Sequence, residues 1–180
     1  SIMYEAWPGE IPIVSAGTVV SGWKETTHNG VRAWVAPAPG HRFHNLWVNG
    51  ERRSRPRYPE KSLLRTVGEL PGDFYDGTDE FHVEPGSTPE FSRVDDVEMV
   101  YFAVWTESYL PIETIDRDNG IIHTKLRSAM NAWKVDSSSN YYFDNVYEEL
   151  KHSGQWYLDI QENCIYYLPY ENESITNTHI

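Results

Sequence analysis

The chain has 180 residues, 39% hydrophobic and 23% charged, which is enough apolar matter for a core and too much for a disordered segment. Its formal net charge of -12 repels phosphate backbones and anionic lipid surfaces, so nucleic acid and membranes are excluded as expected partners. No apolar run approaches the length of a bilayer span, and residues 2–7 are too short and lack the basic flank of a signal peptide.

Taken in order, residues 2–6 read as a strand and Pro8-Gly9 as a turn, and residues 11–14 and 18–20 read as further short strands split by Ser15-Ala16-Gly17. Strands this short and close suit a rung of a parallel β-helix or the edge of a sandwich. Residues 31–35 form the next expected strand. Residues 44–48 and 51–55 flank Asn49-Gly50, a pair that accepts positive φ at both central turn positions and so predicts a tight hairpin. Pro56 and Pro59 end that hairpin. Residues 61–89, rich in Gly, Pro and Asp, read as loop, with a brief strand at 81–83. The run 97–106 is the longest apolar strand and is expected to be central, buried on both faces. Residues 109–115 and 121–124 predict a second hairpin around Asp118-Asn119-Gly120. Residues 141–143 are extended. Residues 145–150 suggest a short helix capped by Asp144 or Asn145 and stopped at Ser153-Gly154. Residues 156–160 and 164–168 make a third hairpin, and a polar tail follows Pro169. The single cysteine, Cys164, allows no internal disulfide and reads as a small hydrophobe of the last strand. The pattern is all-β, a sandwich or barrel without a long helix.

The order of motifs carries a resemblance. Tyr4-Glu5-Ala6-Trp7-Pro8-Gly9-Glu10 leads to Pro12-Ile13-Val14-Ser15-Ala16-Gly17 and Val20-Ser21-Gly22-Trp23. Leu46-Trp47-Val48-Asn49-Gly50-Glu51-Arg52 and Arg55-Pro56-Arg57-Tyr58-Pro59 follow. Tyr141-Tyr142-Phe143-Asp144-Asn145-Val146 then runs through Gly154-Gln155-Trp156-Tyr157-Leu158-Asp159 to Tyr166-Tyr167-Leu168-Pro169. The series resembles the N-terminal part of bacterial right-handed parallel β-helix proteins, a group rich in glycoside hydrolases. In that group a rung-forming segment precedes an inserted β-sandwich, after which the solenoid resumes. The resemblance implies a rung remnant at 1–22, an inserted sandwich-like domain at 23–170, and a tail at 171–180 leading back to a solenoid. It implies the remaining polypeptide as partner and a secreted or cell-surface bacterial setting. It also implies self-association through unpaired strand edges. Gln155 departs from the Glu often found there, and the rungs that would follow Pro169 are absent from this sequence. The catalytic carboxylates of the group sit on later rungs, so no catalytic residue is carried over. The expected role is an accessory domain of a carbohydrate-active enzyme. A carbohydrate-binding module and a protein-interaction domain stand as alternatives.

No cofactor and no metal are expected. Asp73, Asp76, Asp79 and Glu80 match no EF-hand spacing, and His41 and His44 lack the helix and third ligand of a zinc site. Asp and Glu total 27, so paired carboxylates such as Asp96 and Glu98 arise by chance, and a solvated acidic surface accounts for them. Sugar contacts are sought among aromatics and arginines. Trp23, Trp34 and Trp133 lie near turns and are the candidate sugar platforms, whereas Trp105 and Trp156 lie inside apolar strands and are expected in the core. Arg52, Arg53, Arg55 and Arg57 form the only basic cluster. Arg52 and Arg55 are candidates to grip a carboxylated sugar, and pairing of the cluster with the protein's own acids is the blander account.

Overall fold

The computed structural model describes residues 2–12, 16–132, 138–176 and 178. Its strands are β1 (Lys24–His28), β2 (Val31–Pro37), β3 (Leu46–Val48), β4 (Glu51–Arg53), β5 (Arg57–Tyr58), β6 (Leu64–Arg65) and β7 (Glu80–His82). They continue as β8 (Glu98–Phe102), β9 (Glu107–Asp116), β10 (Ile121–Thr124), β11 (Asn140–Asp144), β12 (Trp156–Asp159) and β13 (Cys164–Tyr167). The only helical pieces among the described residues are short 3-10 turns, and none is long and apolar enough to cross a membrane. The chain is all-β and sandwich-like, built from antiparallel sheets with no closed barrel.

A four-stranded sheet has the order β1-β2-β13-β12. Because side chains alternate along a strand, register decides what each face carries. Trp34 pairs with Tyr167, Tyr167 with Trp156, and Ile165 with Leu158. One face therefore gathers Trp34, Trp156, Leu158, Ile165 and Tyr167 into a core closed by Leu46 and Val48 of the β3–β4 hairpin. The opposite face packs Ala33 and Tyr157 with Leu150 and Leu168. At the hairpin tip Asn49 has φ 53° and Gly50 φ 81°, as the dipeptide predicts.

The larger sheet has the order β5-β11-β8-β9-β10-β7, with β6 also pairing β11. β8 is central, and both its faces are buried, which is why its sequence shows no alternation. The strand is shorter than its apolar run. Ala103 and Thr106 exchange backbone hydrogen bonds of 3.0 and 3.4 Å, and the chain reverses there into β9. Trp105, expected in the core, instead stands 70% exposed on that turn. The core of this sheet includes Phe81, Val97, Met99, Tyr101, Ile112, Ile122, Tyr141 and Phe143.

Two expectations need correction. The short helix near 145–150 is a 3-10 turn at Tyr147–Glu149 with Val146 at its cap, and it has no side-chain cap. Asn145 takes a left-handed φ of 57° and serves the sheet seam described below. The strands expected at 2–6, 11–14 and 18–20 do not form among the described residues, since isolated extended segments have no partner to close their ladders. Residues 13–15 lie outside the described residues. Ile2, Met3, Tyr4, Trp7, Ile11 and Val19 of this arm are exposed, Tyr4 at 92% and Trp7 at 76%. The arm is anchored at Val20 and Trp23, which pack against the core under the hairpin, and Trp23 Nε1 donates to Val20 O at 3.1 Å.

Candidate functional site

Two sets of buried polar groups lie between the sheets. The first is a seam. Asn145 Nδ2 donates to Asp96 O (3.0 Å) and Leu158 O (2.8 Å), and its Oδ1 accepts from Leu158 N (2.9 Å). The Asp96 carboxylate accepts from Tyr157 Oη and from Ile160 N, the latter at 3.0 Å. Burial pushes the Asp96 carboxyl above its usual range although these hydrogen bonds oppose the shift. Burial and the adjacent Asp96 push the Tyr157 hydroxyl upward. A carboxyl raised on folding contributes stability that is complete below its unfolded value, about 3.9, and is lost as pH rises through the folded value. Asp96→Asn removes that dependence. In urea titrations the stability gap between parent and variant should narrow as pH is raised from about 4 to about 7. A gap that stays constant over this interval would contradict the assignment.

The second set is an ion cluster. β8 and β11 place Glu98 and Asp144 directly across from each other, and Arg55, just past β4, reaches both. Its Nη1 donates to Glu98 Oε2 at 2.8 Å and lies 3.1 Å from Asp144 Oδ2. His44 Nε2 lies 3.2 Å from the Glu98 carboxylate and Arg42 Nη1 3.7 Å from it. The Arg55 guanidinium sits 5.5 Å over the Trp156 ring. Burial alone would raise the Glu98 carboxyl, but the His44 hydrogen bond and the Arg55 charge outweigh it and hold the group below its usual range. For Asp144 burial wins. Arg55 offsets part of it, Glu98 adds repulsion, and the carboxyl is raised. The two carboxylates are 2% and 6% exposed, so they hold Arg55 in place, and of the two only Asp144 borders the cavity beside them.

Beside this cluster opens a cavity of about 340 Å³ lined by His44, Arg52, Arg53, Ser54, Arg55, Arg57, Tyr109, Tyr142 and Asp144. Arg53 is saturated by Tyr167 Oη (3.0 Å), Glu51 (2.7 Å) and Glu173 (2.8 Å). Arg57 donates to the carbonyls of Pro59 (3.0 Å) and Ser62 (2.5 Å) and lies 3.9 Å over the Tyr142 ring. Neither Arg52 nor Arg57 has a carboxylate partner among the described residues. The His44 ring lies 4.2 Å from that of Tyr109. This wall of arginines and phenol rings is suited chemically to planar anions and hydroxyl-bearing ligands.

The structure sorts the sequence candidates. Arg52 and Arg55 both line the cavity, Arg52 exposed and Arg55 buried against its acids. Trp23 is half-buried on the core. Trp34, chosen for its nearness to a turn, is fully buried because β2 lies inside the sheet, so it presents no face to a sugar. Trp133 lies outside the described residues. Asp96 and Glu98 do not belong to a solvated acidic surface, since both are buried and paired. Gln155, where the resemblance favours Glu, accepts from the backbone N–H groups of Lys151 and His152, both at 2.8 Å. Among the described residues no group of three or more His, Cys, Asp or Glu could hold a metal ion. Sequence reasoning missed His44, Tyr109, Tyr142 and Asp144 as neighbours of the arginines, and also the exposed Trp47, which pairs across the hairpin with Arg52. Only the arginine run itself gave a signal, because its partners come from strands far along the chain.

No curated protein matches this chain. A solved structure of a glycoside hydrolase is similar to it with a TM-score of 0.65 and 25% sequence identity, over 92% of this chain and 31% of that one. The chain thus spans about a third of the length of that enzyme. A family model, the GH141 insertion domain, matches residues 31–170, from β2 through β13 and including every residue that lines the cavity, and the chain belongs to that family.

Proposed function

We propose that this chain is the accessory domain of a larger glycoside hydrolase, bracing its catalytic body and forming one wall of the substrate cleft. Membership of an insertion-domain family and the partial coverage of a glycoside hydrolase support the accessory role. The observation that carries the bracing role is the arm before Trp23. Six large apolar side chains there stand exposed on a segment with no described strand of its own, a surface suited to burial against another body. A right-handed β-helix is the body that the sequence resemblance favours, and the first segment would join its rungs.

The test compares this chain with the longer enzyme. Changing Tyr4 and Trp7 to Ser is expected to lower the melting temperature of the longer enzyme while leaving the urea midpoint of this chain alone unchanged. An unchanged melting temperature in the longer enzyme would sink the bracing role. The chain alone is expected to turn over no aryl glycoside or oligosaccharide that the longer enzyme cleaves, and turnover by the chain alone would sink the accessory reading. Alone and concentrated, it is expected to self-associate through the same arm. A strictly monomeric light-scattering mass across a wide concentration range would count against that expectation.

A further inference from the structure

The arginine cavity holds guanidinium groups that the described residues do not fully satisfy. Arg55 is held by Glu98 and Asp144 through Nη1, yet its Nε is buried with no acceptor among the described residues. A buried guanidinium N–H without a partner is costly and rare unless something else completes it. Arg52 and Arg57 add two positive charges that no described carboxylate neutralises, and Arg57 is preset by two carbonyls and a ring. The chain as a whole carries a formal charge of -12, so its overall field does not draw anions toward the domain. Affinity for an anion must therefore come from the short-range geometry of this one cavity.

We infer that the cavity between Arg52, Arg55 and Arg57 binds the carboxylate of an acidic sugar, a hexuronate residue of a longer glycan. Its planar carboxylate matches the fork of a guanidinium, which a round ammonium ion would not require. The cavity volume of about 340 Å³ fits a sugar ring or two. The Tyr142 hydroxyl, with no hydrogen bond to any described residue, and the Tyr109 ring provide contacts for ring hydroxyls and the ring face. Trp47, 51% exposed and directly across the hairpin from Arg52, offers a stacking surface for the next sugar. A carboxylate presents two coplanar oxygens to a guanidinium fork, and a tetrahedral sulfate ester is the control that separates shape from charge. The sugar part of this inference rests on the carbohydrate-active reading of the chain. The test below is read on the chain alone, so it can fail or succeed independently of the bracing role.

Calorimetric titration of this chain with an oligo-hexuronate, with the same oligosaccharide reduced to its neutral alcohol form, with a sulfated neutral oligosaccharide and with acetate separates the sources. The oligo-hexuronate is expected to bind, and each of the other three at least about tenfold more weakly, the scale of one hydrogen bond to a charged group. Arg52→Ala removes an exposed side chain and leaves the buried cluster intact, and it should weaken oligo-hexuronate binding about tenfold or more, with Arg52→Glu weakening it further. Trp47→Ala should weaken the oligosaccharide and leave acetate unchanged. Equal binding of the neutral form, equal binding of the sulfated form, acetate binding as tightly as the oligosaccharide, an unaffected Arg52→Ala variant, or no binding of the oligo-hexuronate would each overturn the inference.

Discussion

Arg55→Ala should lower the unfolding free energy of the chain by about 3–5 kcal/mol, the range for removing one partner of a buried ion pair. Glu98 and Asp144 sit on neighbouring central strands with hardly any access to water, and among the described residues only Arg55 forms ion pairs with both. Without it two carboxylates face each other in a desolvated space, since the close ion pairs of His44 and Arg42 are both with Glu98 and His44 acts on Asp144 only from a distance. The chain can then take up protons or lose the sheet geometry. Urea titration gives the size of the effect, and repeating it at lower pH identifies its cause. Lowering the pH stabilises the variant relative to the parent, because protonation removes the repulsion that Arg55 had compensated. Glu98 in the parent behaves oppositely. Its depressed carboxyl contributes stability that is present above about 4.3 and is lost as pH falls through its folded value. The triple variant Arg55→Met, Glu98→Gln, Asp144→Asn should recover much of the loss, since a buried ionic cluster can often be replaced without penalty as a unit. An Arg55→Ala midpoint equal to the parent's would show that the cluster is not the support described here.

Trp156→Ala should cost a similar amount, about 3–5 kcal/mol, for a different reason. Trp156 is fully buried between the four-stranded sheet and the β3–β4 hairpin. Its ring stacks on Phe43 with centroids 5.0 Å apart and planes within 3° of parallel, and its Nε1 donates to Arg53 O at 3.3 Å. Truncation leaves a cavity and frees the carbonyl of the residue that positions the arginine run. Hydrogen exchange should quicken first at Leu46–Val48 and Glu51–Arg53, because β3 and β4 pair only with each other among the named strands and Leu46 and Val48 pack in the cluster that holds this ring. Exchange rising evenly through both sheets would contradict this local role. Since Arg55 lies over the same ring, the Arg55 and Trp156 effects should combine by less than their sum.

The legible parts of this fold are those determined by a few neighbouring residues. Asn49-Gly50, Asp118-Asn119-Gly120 and the turn before Cys164 each carry their own backbone preference, and their three hairpins stand where the sequence places them. Asn29-Gly30 has the same dipeptide, with φ of 48° and 78°, yet it is easily passed over because β1 is an edge strand with no apolar alternation. The run 97–106 misleads in the other direction. Val104 and Trp105 continue an apolar strand in sequence while turning out of it in space. Nearness to a turn proves a poor guide to tryptophan exposure, as the exchanged places of Trp34 and Trp105 show. At the cavity the arginine run was readable as a cluster. Its meaning was not, because Glu98 and Asp144 lie 43 and 89 positions beyond Arg55 and acidic residues are ordinarily on the surface.

The pairing of Trp34 with Tyr167 has a consequence for synthesis. The β1–β2 hairpin leaves the ribosome early, but its partner β13 follows only after more than a hundred further residues. At ordinary elongation rates that delay is on the order of ten seconds. Throughout it, one side of β2 presents free backbone N–H and C=O groups beside Trp34, and the hairpin β3–β4 has no sheet on which to settle. The larger sheet can assemble during the wait, because β5 to β11 are contiguous in the chain. The four-stranded sheet can close only at the end, which makes its β2 edge the point where a nascent chain of this family would first need a chaperone's cover.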